Sequence, residues 1–272
     1  MRLIELSSLA AEGEGLCYHW TDAQLRSRQA PDKGVFIAEG PKVTHSALDA
    51  GCEPLSLLMR KKFVVSPLGR EIIGRCGDVP VYTAEDDILS ALAGFKMQRA
   101  WVLCAMRRPR PRGIAEVLPG KRRVAYLEGI TEPSNVGAIF RSAAALKADA
   151  ILLSPDCCDP LHRRAVRVCM GSIFQVPWAR AEENEALPLL KEAGFTVAGL
   201  ALRDNCWTLD DPRLPGIPKL ALCLGNEDTG LAEATLDQCD HIVKIPMAGG
   251  IDSLNVAAAA AVAFWQLRVR EE

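Results

Sequence analysis

The chain lacks a long hydrophobic segment. Its longest apolar run covers residues 256–265, whereas a transmembrane helix needs about twenty such residues. The first fifteen residues carry Glu5, Glu12 and Glu14, so the continuous apolar core of a secretory signal peptide is also missing. These two absences predict a cytoplasmic protein that does not associate with a membrane.

Patterns typical of metal sites and disulfide frameworks are missing as well. Ten cysteines are scattered through apolar surroundings without a C-x-x-C pair, and the chain has only four histidines. Adjacent Cys157 and Cys158 are poorly placed to chelate one metal ion together. We therefore interpret the cysteines as reduced, mostly buried thiols and expect no bound metal.

An overall excess of basic residues is absent, because the formal net charge is −2. A surface for nucleic acid would then depend on local clusters. Residues 107–123 contain one acid, Glu116, among seven basic residues: Arg107, Arg108, Arg110, Arg112, Lys121, Arg122 and Arg123. A phosphate backbone could bind this cluster, and the alternative interpretation is an ordinary solvated linker.

The second half of the chain alternates short apolar runs with helical patterns. The apolar runs have the length of buried strands and cover residues 124–128, 150–153, 195–199, 220–224 and 241–245. A further strand is expected just before Val176. Such alternation predicts an α/β fold with a mostly parallel, doubly wound sheet. Ligands of these sheets bind beyond the carboxyl ends of the strands.

The first half predicts a smaller α/β sandwich. Its expected strands are residues 36–40, 55–59, 62–66, 79–82 and 101–105, and its expected helices are residues 41–50, 67–76 and 85–93. Three prolines and two glycines give residues 107–120 the composition of a linker. The predicted division is therefore a domain at 1–106, a basic linker at 107–120 and a second domain at 121–272.

Residues 241–267 predict a strand, a loop and a helix. Pro246 ends the strand, because it cannot donate a ladder hydrogen bond. Asp252 and Ser253 are good N-cap types before a helix at residues 256–267 that is apolar almost all round and must therefore be buried. Free backbone N–H groups at its start would bind a polar ligand, although a capped core helix after an ordinary turn explains the same residues.

Three sequence motifs then occur in order. Residues 135–143 read N-V-G-A-I-F-R-S-A, residues 225–231 read G-N-E-D-T-G-L, and residues 245–256 read I-P-M-A-G-G-I-D-S-L-N-V. The set resembles the three motifs of the SpoU (TrmH-type) RNA ribose 2′-O-methyltransferases. Asp228 departs from the second motif, where the family commonly has a small residue.

The resemblance implies a fold, a reaction and partners. SpoU enzymes transfer a methyl group from S-adenosyl-L-methionine to RNA, bind this cofactor in the cleft of a trefoil knot, and form homodimers through the knotted domain. The pattern F-I-A-E-G at residues 36–40 is similar to the start of the L30e-like substrate-binding domain that many of them carry. Since L30e is a ribosomal-protein type of fold, we prefer rRNA over tRNA as the RNA partner.

The resemblance also assigns candidate site residues. The positions that match the family's cofactor loops are Leu224, Gly225, Asn226, Gly230, Ile245, Met247, Ser253 and Leu254. The polar set expected around the substrate ribose and phosphate is Asn135, Arg141, Glu227, Ser253 and Asn255. We expect Arg141 to hold the hydroxyl and a phosphate rather than act as a free base, because arginine loses its proton only at great cost. Glu227 would orient Arg141 or the cofactor loop.

Other interpretations remain open at this point. Asn135, Ser253 and Asn255 could be helix caps, and Arg141 could be a solvated surface charge. At the level of function, the same knotted fold could methylate RNA bases, or the chain could be a non-catalytic RNA-binding relative. A nucleotide-binding α/β enzyme is disfavoured, because the sequence has neither a G-x-G-x-x-G fingerprint after a strand nor a P-loop.

Overall fold

The computed structural model describes residues 2–6, 17–18, 20–26, 34–93, 101–204, 206–249 and 253–269. In these residues the chain forms two compact units. The first consists of Met1–Arg110 and Leu161–Phe174, and the second of Pro111–Pro160 and Gln175–Glu272. No helix in the described part of the chain is long and apolar enough to span a membrane.

Helices and strands alternate along the described residues. The strands are β1 Arg2–Glu5, β2 Val35–Glu39, β3 Pro54–Arg60, β4 Pro80–Ala84, β5 Val102–Arg107, β6 Arg123–Leu127, β7 Ala150–Leu153, β8 Trp178–Arg180, β9 Thr196–Leu200, β10 Trp207–Thr208, β11 Leu220–Leu224 and β12 His241–Lys244. The helices are α1 Asp22–Leu25, α2 Pro41–Asp49, α3 Lys61–Val64, α4 Pro67–Cys76, α5 Asp86–Ala93, α6 Ile114–Val117, α7 Pro133–Ala145, α8 Arg163–Cys169, α9 Ala186–Glu192, α10 Glu233–Leu236 and α11 Val256–Leu267.

In the described residues, the first unit contains a five-stranded mixed sheet with the order β1-β4-β3-β5-β2. Strands β1 and β3 run parallel to β4, and β5 is antiparallel to β3 and β2. Helix α8, which comes much later in the chain, packs on β2. There Arg163 and Arg167 approach the buried carboxylate of Glu39 at 3.5 Å and 3.8 Å. This unit therefore incorporates a segment that the predicted division assigns to residues 121–272.

Two strand predictions are wrong. Residues 62–66 form helix α3 and a turn, because Ser66 caps α4 by accepting the N–H of Gly69 at 3.0 Å and Pro67 occupies the first helical position. The strand expected just before residue 176 begins instead at Trp178. Pro177 precedes it and has no N–H for a sheet ladder.

In the described residues of the second unit, seven strands form one sheet with the order β10-β12-β9-β11-β6-β7-β8. Every neighbouring pair is parallel, which confirms the predicted mixed α/β fold with a large parallel sheet. Helices α7 and α11 pack together. The trefoil knot and the L30e-like identity of the first unit stay predictions.

Part of the expected linker is folded into the second unit. Ile114, Val117 and Leu118 are buried in a core cluster together with residues of β6 and α9. Their spacing places Ile114 and Val117 on one face of α6 together with Leu118, its C-cap residue, which explains the burial. A single helical turn contains too few residues to establish an apolar period, so the three prolines led to the prediction of a linker instead of α6.

Candidate active site

The three motif loops leave the sheet at neighbouring carboxyl ends. They follow β6, β11 and β12, and the first two of these strands are paired to each other in the sheet. The third is separated from β11 only by β9. Because all these strands are parallel, the loops that follow them lie at the same edge, as expected from the sequence.

A cavity of about 220 Å³ lies at this edge. All eight residues expected at the cofactor line it: Leu224, Gly225, Asn226, Gly230, Ile245, Met247, Ser253 and Leu254. Glu227, expected in the polar set, also lines the cavity. The remaining lining residues, which sequence reasoning missed, are Leu200, Ala201, Leu202, Lys244, Val256 and Ala259. The end of β9 joins the site because β9 lies between β11 and β12, and only the strand order reveals this.

The second motif forms a tight loop in which residues 226 and 230 pair as a β-bridge. The N–H of Asn226 donates to the carbonyl of Gly230 at 3.1 Å, and the reverse bond measures 2.9 Å. A side chain at Gly225 would collide with the backbone of Gly230, and Gly230 itself has φ 70°, which favours glycine. The backbone can therefore line the cavity closely.

A chain of hydrogen bonds joins all three motifs at the mouth of the cavity. The Nδ2 group of Asn255 donates to Oδ1 of Asn135 at 3.0 Å, and Nδ2 of Asn135 donates to Oε1 of Glu227. Asn255 is also the N-cap of α11, because its Oδ1 accepts the N–H groups of Ala257 and Ala258. Glu227 is thus bonded to Asn135 and not to Arg141, the first partner we expected.

Of the described site residues that could cap a helix, only Asn255 does so. Asn255 is a cap and also reaches another motif, whereas Asn135 lies inside the first turn of α7, whose N-cap is Glu132. Ser253 was expected to cap α11, but Asn255 takes that position. The other cap candidate, Asp252, lies outside the described residues.

Arg141 is exposed on the third turn of α7. Six residues separate it from Asn135, and this spacing turns a helix by about 240°, so the two side chains leave α7 on different faces. Within the described residues, Arg141 makes no hydrogen bond or ion pair. Its guanidinium is therefore available to a ligand outside the polar chain.

Strand β11, which leads into the second motif, carries a thiol with a raised pKa. A hydrogen bond with Cys239 and complete burial raise the pKa of Cys223 well above its ordinary value. The thiol of Cys239 in turn donates to the carbonyl of Thr235 at 3.3 Å. Cys223 therefore packs as a neutral core residue beside the cavity.

Comparison with known protein families identifies this arrangement. A sequence model of the SpoU rRNA Methylase family matches residues 122–265, which include all three motifs and the whole cavity. The chain belongs to the SpoU rRNA methylase family. This SpoU family member is accordingly an RNA methyltransferase that uses S-adenosyl-L-methionine.

Curated relatives of this SpoU protein are named as methyltransferases. A tRNA/rRNA methyltransferase of Mycobacterium tuberculosis (strain H37Rv), itself uncharacterized, is 39% identical over 236 residues, which cover 86% of this chain and 81% of that protein. The 23S rRNA (guanosine(2553)-2′-O)-methyltransferase RlmP of Bacillus subtilis is 29% identical over 235 residues, covering 86% of this chain and 88% of that protein.

Solved structures of similar fold include SpoU enzymes with cofactor. The AdoMet-bound rRNA methyltransferase from Sinorhizobium meliloti superposes with a TM-score of 0.81 at 24% identity, covering 97% of each chain. The SpoU methyltransferase AviRb from Streptomyces viridochromogenes, in complex with AdoMet, gives a TM-score of 0.75 at 25% identity and covers 90% of this chain and 94% of that one. The likeness extends over both compact units.

Proposed function

We propose that this SpoU enzyme methylates a ribose 2′-hydroxyl of RNA at the mouth of the cavity formed by its three motif loops. The observation that carries the proposal is the hydrogen-bonded chain of Asn255, Asn135 and Glu227, whose last member lines the cavity that would hold the methyl donor. Relatives named as 23S rRNA 2′-O-methyltransferases support ribose as the target. The same names favour rRNA over tRNA.

The cavity suits S-adenosyl-L-methionine in shape and chemistry. Ile245, Met247 and Leu254 offer an apolar wall for the adenine, and Gly225 and Gly230 let the backbone approach it. When bound, this cofactor supplies a methyl group on a sulfonium centre. The eight expected lining residues would hold it.

The polar chain would orient the ribose. Methyl transfer to a hydroxyl is an in-line displacement by a weak nucleophile, so alignment and help with its proton are what the protein can contribute. Glu227 uses Oε1 for Asn135, and among the described residues its Oε2 has no hydrogen-bond partner. That oxygen could accept a hydrogen bond from the ribose hydroxyl, while Asn135 keeps the carboxylate in place.

Arg141 would bind the RNA backbone close to the target nucleotide. Its exposed guanidinium has no partner among the described residues, and a guanidinium forms paired, charge-assisted hydrogen bonds with phosphate. Residues 1–106 would add an RNA-binding domain. We infer that the exposed basic residues of the 107–123 cluster, Arg110, Arg112 and Arg122, also attract phosphates, whereas Arg123 is buried and does not contribute.

The second unit would form a homodimer through α11. Ala258, Val262 and Trp265 lie on one stripe of this helix and are exposed, with Val262 at 45% and Trp265 at 56% of their full accessible area. Helix α11 was expected to be buried all round, and the single chain leaves this stripe uncovered. A second copy of the chain would cover it.

Calorimetric binding of S-adenosyl-L-methionine to the purified protein tests the cofactor site. Leu254, which is 43% exposed and lines the cavity, is replaced by arginine to obstruct it, and Arg141→Ala is the matched control. We expect Leu254→Arg to abolish binding and Arg141→Ala to bind like the wild type but lose methyl transfer. Unimpaired binding by Leu254→Arg would place the cofactor elsewhere, and no binding by the wild type would contradict the proposal.

A further inference from the structure

The glutamate at the end of β6 holds the cofactor loop from outside the cavity. Glu128 directly follows this strand and does not line the cavity. Its Oε1 accepts the backbone N–H of Ala232 at 2.7 Å, and its Oε2 accepts the hydroxyl of Thr235. Both partners lie just after the second motif, at the start of α10.

Helix α10 depends on this carboxylate for its N-terminal hydrogen bonds. The N-cap residue of α10 is Ala232, which has no side-chain oxygen and makes no capping hydrogen bond. A negative charge at a helix N-terminus satisfies free N–H groups and interacts favourably with the helix dipole. Glu128 supplies from a neighbouring strand the acceptor for the N-cap N–H that a glutamate at the third helical position supplies in a capping box.

The start of the same loop is bonded to Gly129, the residue that follows Glu128. The Nδ2 group of Asn226 donates to the carbonyl of Gly129 at 2.6 Å, and Oδ1 of Asn226 accepts the N–H groups of Asp228 and Thr229. Residues 128 and 129 thus hold the loop where it begins and where it ends. Between these two points lie Glu227 and Gly230, which line the cavity.

We propose that Glu128 is a positioning residue for cofactor binding: by fixing the exit of loop 225–231, it sets the affinity of the cavity for S-adenosyl-L-methionine without touching the cofactor. This inference rests on the proposed placement of the cofactor in that cavity. A loop released at its exit is still held near its start by the Asn226–Gly230 bridge, the bonds of the Asn226 side chain and the Asn135–Glu227 bond, but its last residues lose their anchor. Binding must then order the loop, which weakens affinity.

Asp149 offers a matched control at the other end of the sheet. Its Oδ2 accepts the backbone N–H groups of Arg122 and Arg123 at 2.8 Å and 2.7 Å, at the start of β6. Both carboxylates are half-buried and each binds backbone of a neighbouring segment. Asp149, however, is remote from the motif loops, because it lies at the amino end of the strands.

Calorimetric affinity for S-adenosyl-L-methionine and the thermal unfolding midpoint are measured for Glu128→Ala, Glu128→Gln and Asp149→Ala. We expect Glu128→Ala to weaken binding by about tenfold or more, since two hydrogen bonds of a charged group are lost. Glutamine keeps a carbonyl acceptor for Ala232 and an amide that can bond Thr235, so it recovers most of the affinity. Asp149→Ala lowers the midpoint and leaves the affinity unchanged.

Several results would overturn the proposal. Wild-type affinity in Glu128→Ala would show that the loop keeps its shape without the carboxylate, and equal weakening in Asp149→Ala would show that general stability sets the affinity. Glutamine performing no better than alanine would exclude a role based on hydrogen-bond geometry. If Glu128→Ala does not fold, Thr235→Val removes one of the two bonds with little change in shape and should weaken binding severalfold. Absence of binding by the wild type would instead reject the cofactor site itself.

Discussion

At the scale of single residues, a helix cap decides how the polar chain is oriented. Oδ1 of Asn255 is committed to two backbone N–H groups of α11, so its Nδ2 must face Asn135. Asn135 therefore accepts on that side and donates to Glu227 on the other. The direction of each amide follows from the one next to it, and the chain ends at a carboxylate that can only accept while it is ionised.

Replacing Asn135 by aspartate should be more harmful than replacing it by alanine. Aspartate has no N–H to donate, and it places a second negative charge within hydrogen-bonding distance of Glu227. Alanine only removes the link, and water can replace it at this accessible position. We expect both variants to bind S-adenosyl-L-methionine, with methyl transfer to an unmodified 23S rRNA transcript reduced about tenfold for alanine and about a hundredfold for aspartate. Equal activity in the two variants would contradict this arrangement.

Among the site residues, one pairing expected from the sequence differs in the structure. The motifs brought Asn135, Glu227 and Asn255 together correctly, because each position is a fixed point of a motif and the motif loops share an edge of the sheet. The expected partnership of Glu227 with Arg141 did not form in the single chain. Their separation depends on the rotation of α7 about its axis, which a sequence motif does not display.

At the scale of elements, α11 is held at both ends by single side chains. Asn255 caps its start, and the buried guanidinium of Arg123 donates to the carbonyl of Leu267 at 2.6 Å, at its last residue. Arg123 also donates to the carbonyls of Arg122, Pro218 and Pro215 at 3.0, 3.2 and 3.1 Å. Burial lowers the pKa of Arg123, and these four oxygens offset the cost of placing a cation there.

Arg123→Lys should therefore destabilise the second unit even though it conserves the charge. A lysine ammonium has three donors on one atom and cannot reach carbonyls spread around a planar guanidinium. We expect the free energy of unfolding to fall by about 2–4 kcal/mol in denaturant titrations, because buried carbonyls are left unpaired. The matched control is Arg122→Lys at an exposed position, which should change it by less than about 0.5 kcal/mol. Similar losses in both variants would disprove the role of Arg123 at the end of α11.

Sequence patterns located long elements well and short ones poorly. Helix α11 and strands β7 and β11 have the predicted bounds, since each combines a strong apolar pattern with clear ends. The short helices α3 and α10 were missed, because one helical turn contains too few residues to establish a period. Strand β10, of two residues, forms only by pairing with β12.

At the scale of the whole molecule, the chain order and the spatial grouping differ. Residues Leu161–Phe174 lie between β7 and β8 in sequence, yet they belong to the first compact unit. Within that unit, Phe174 packs on Phe36 with ring centroids 5.6 Å apart. A division of the chain into consecutive segments therefore cannot describe these two units.

The exposed stripe of α11 leads to a prediction about assembly. Trp265→Glu places a charge in the proposed interface and should convert a homodimer into a monomer in sedimentation velocity experiments. Trp20, which is 41% exposed and belongs to the first unit, provides the matched control, and Trp20→Glu should leave the assembly unchanged. A dimeric Trp265→Glu variant, or a monomeric wild type, would refute the proposed interface.

The sequence by itself determined the family, the parallel sheet and nine of the fifteen residues that line the cavity. These follow from local patterns: motifs at fixed spacing, apolar runs, and loops that must emerge at one edge of a parallel sheet. Only the tertiary structure decided that β9 contributes to the cavity, that Glu227 pairs with Asn135, that Glu128 bonds to the start of α10, and that residues 161–174 join the first unit. Each of these depends on contacts between residues far apart in the chain, and no local pattern specifies which distant partner will be met.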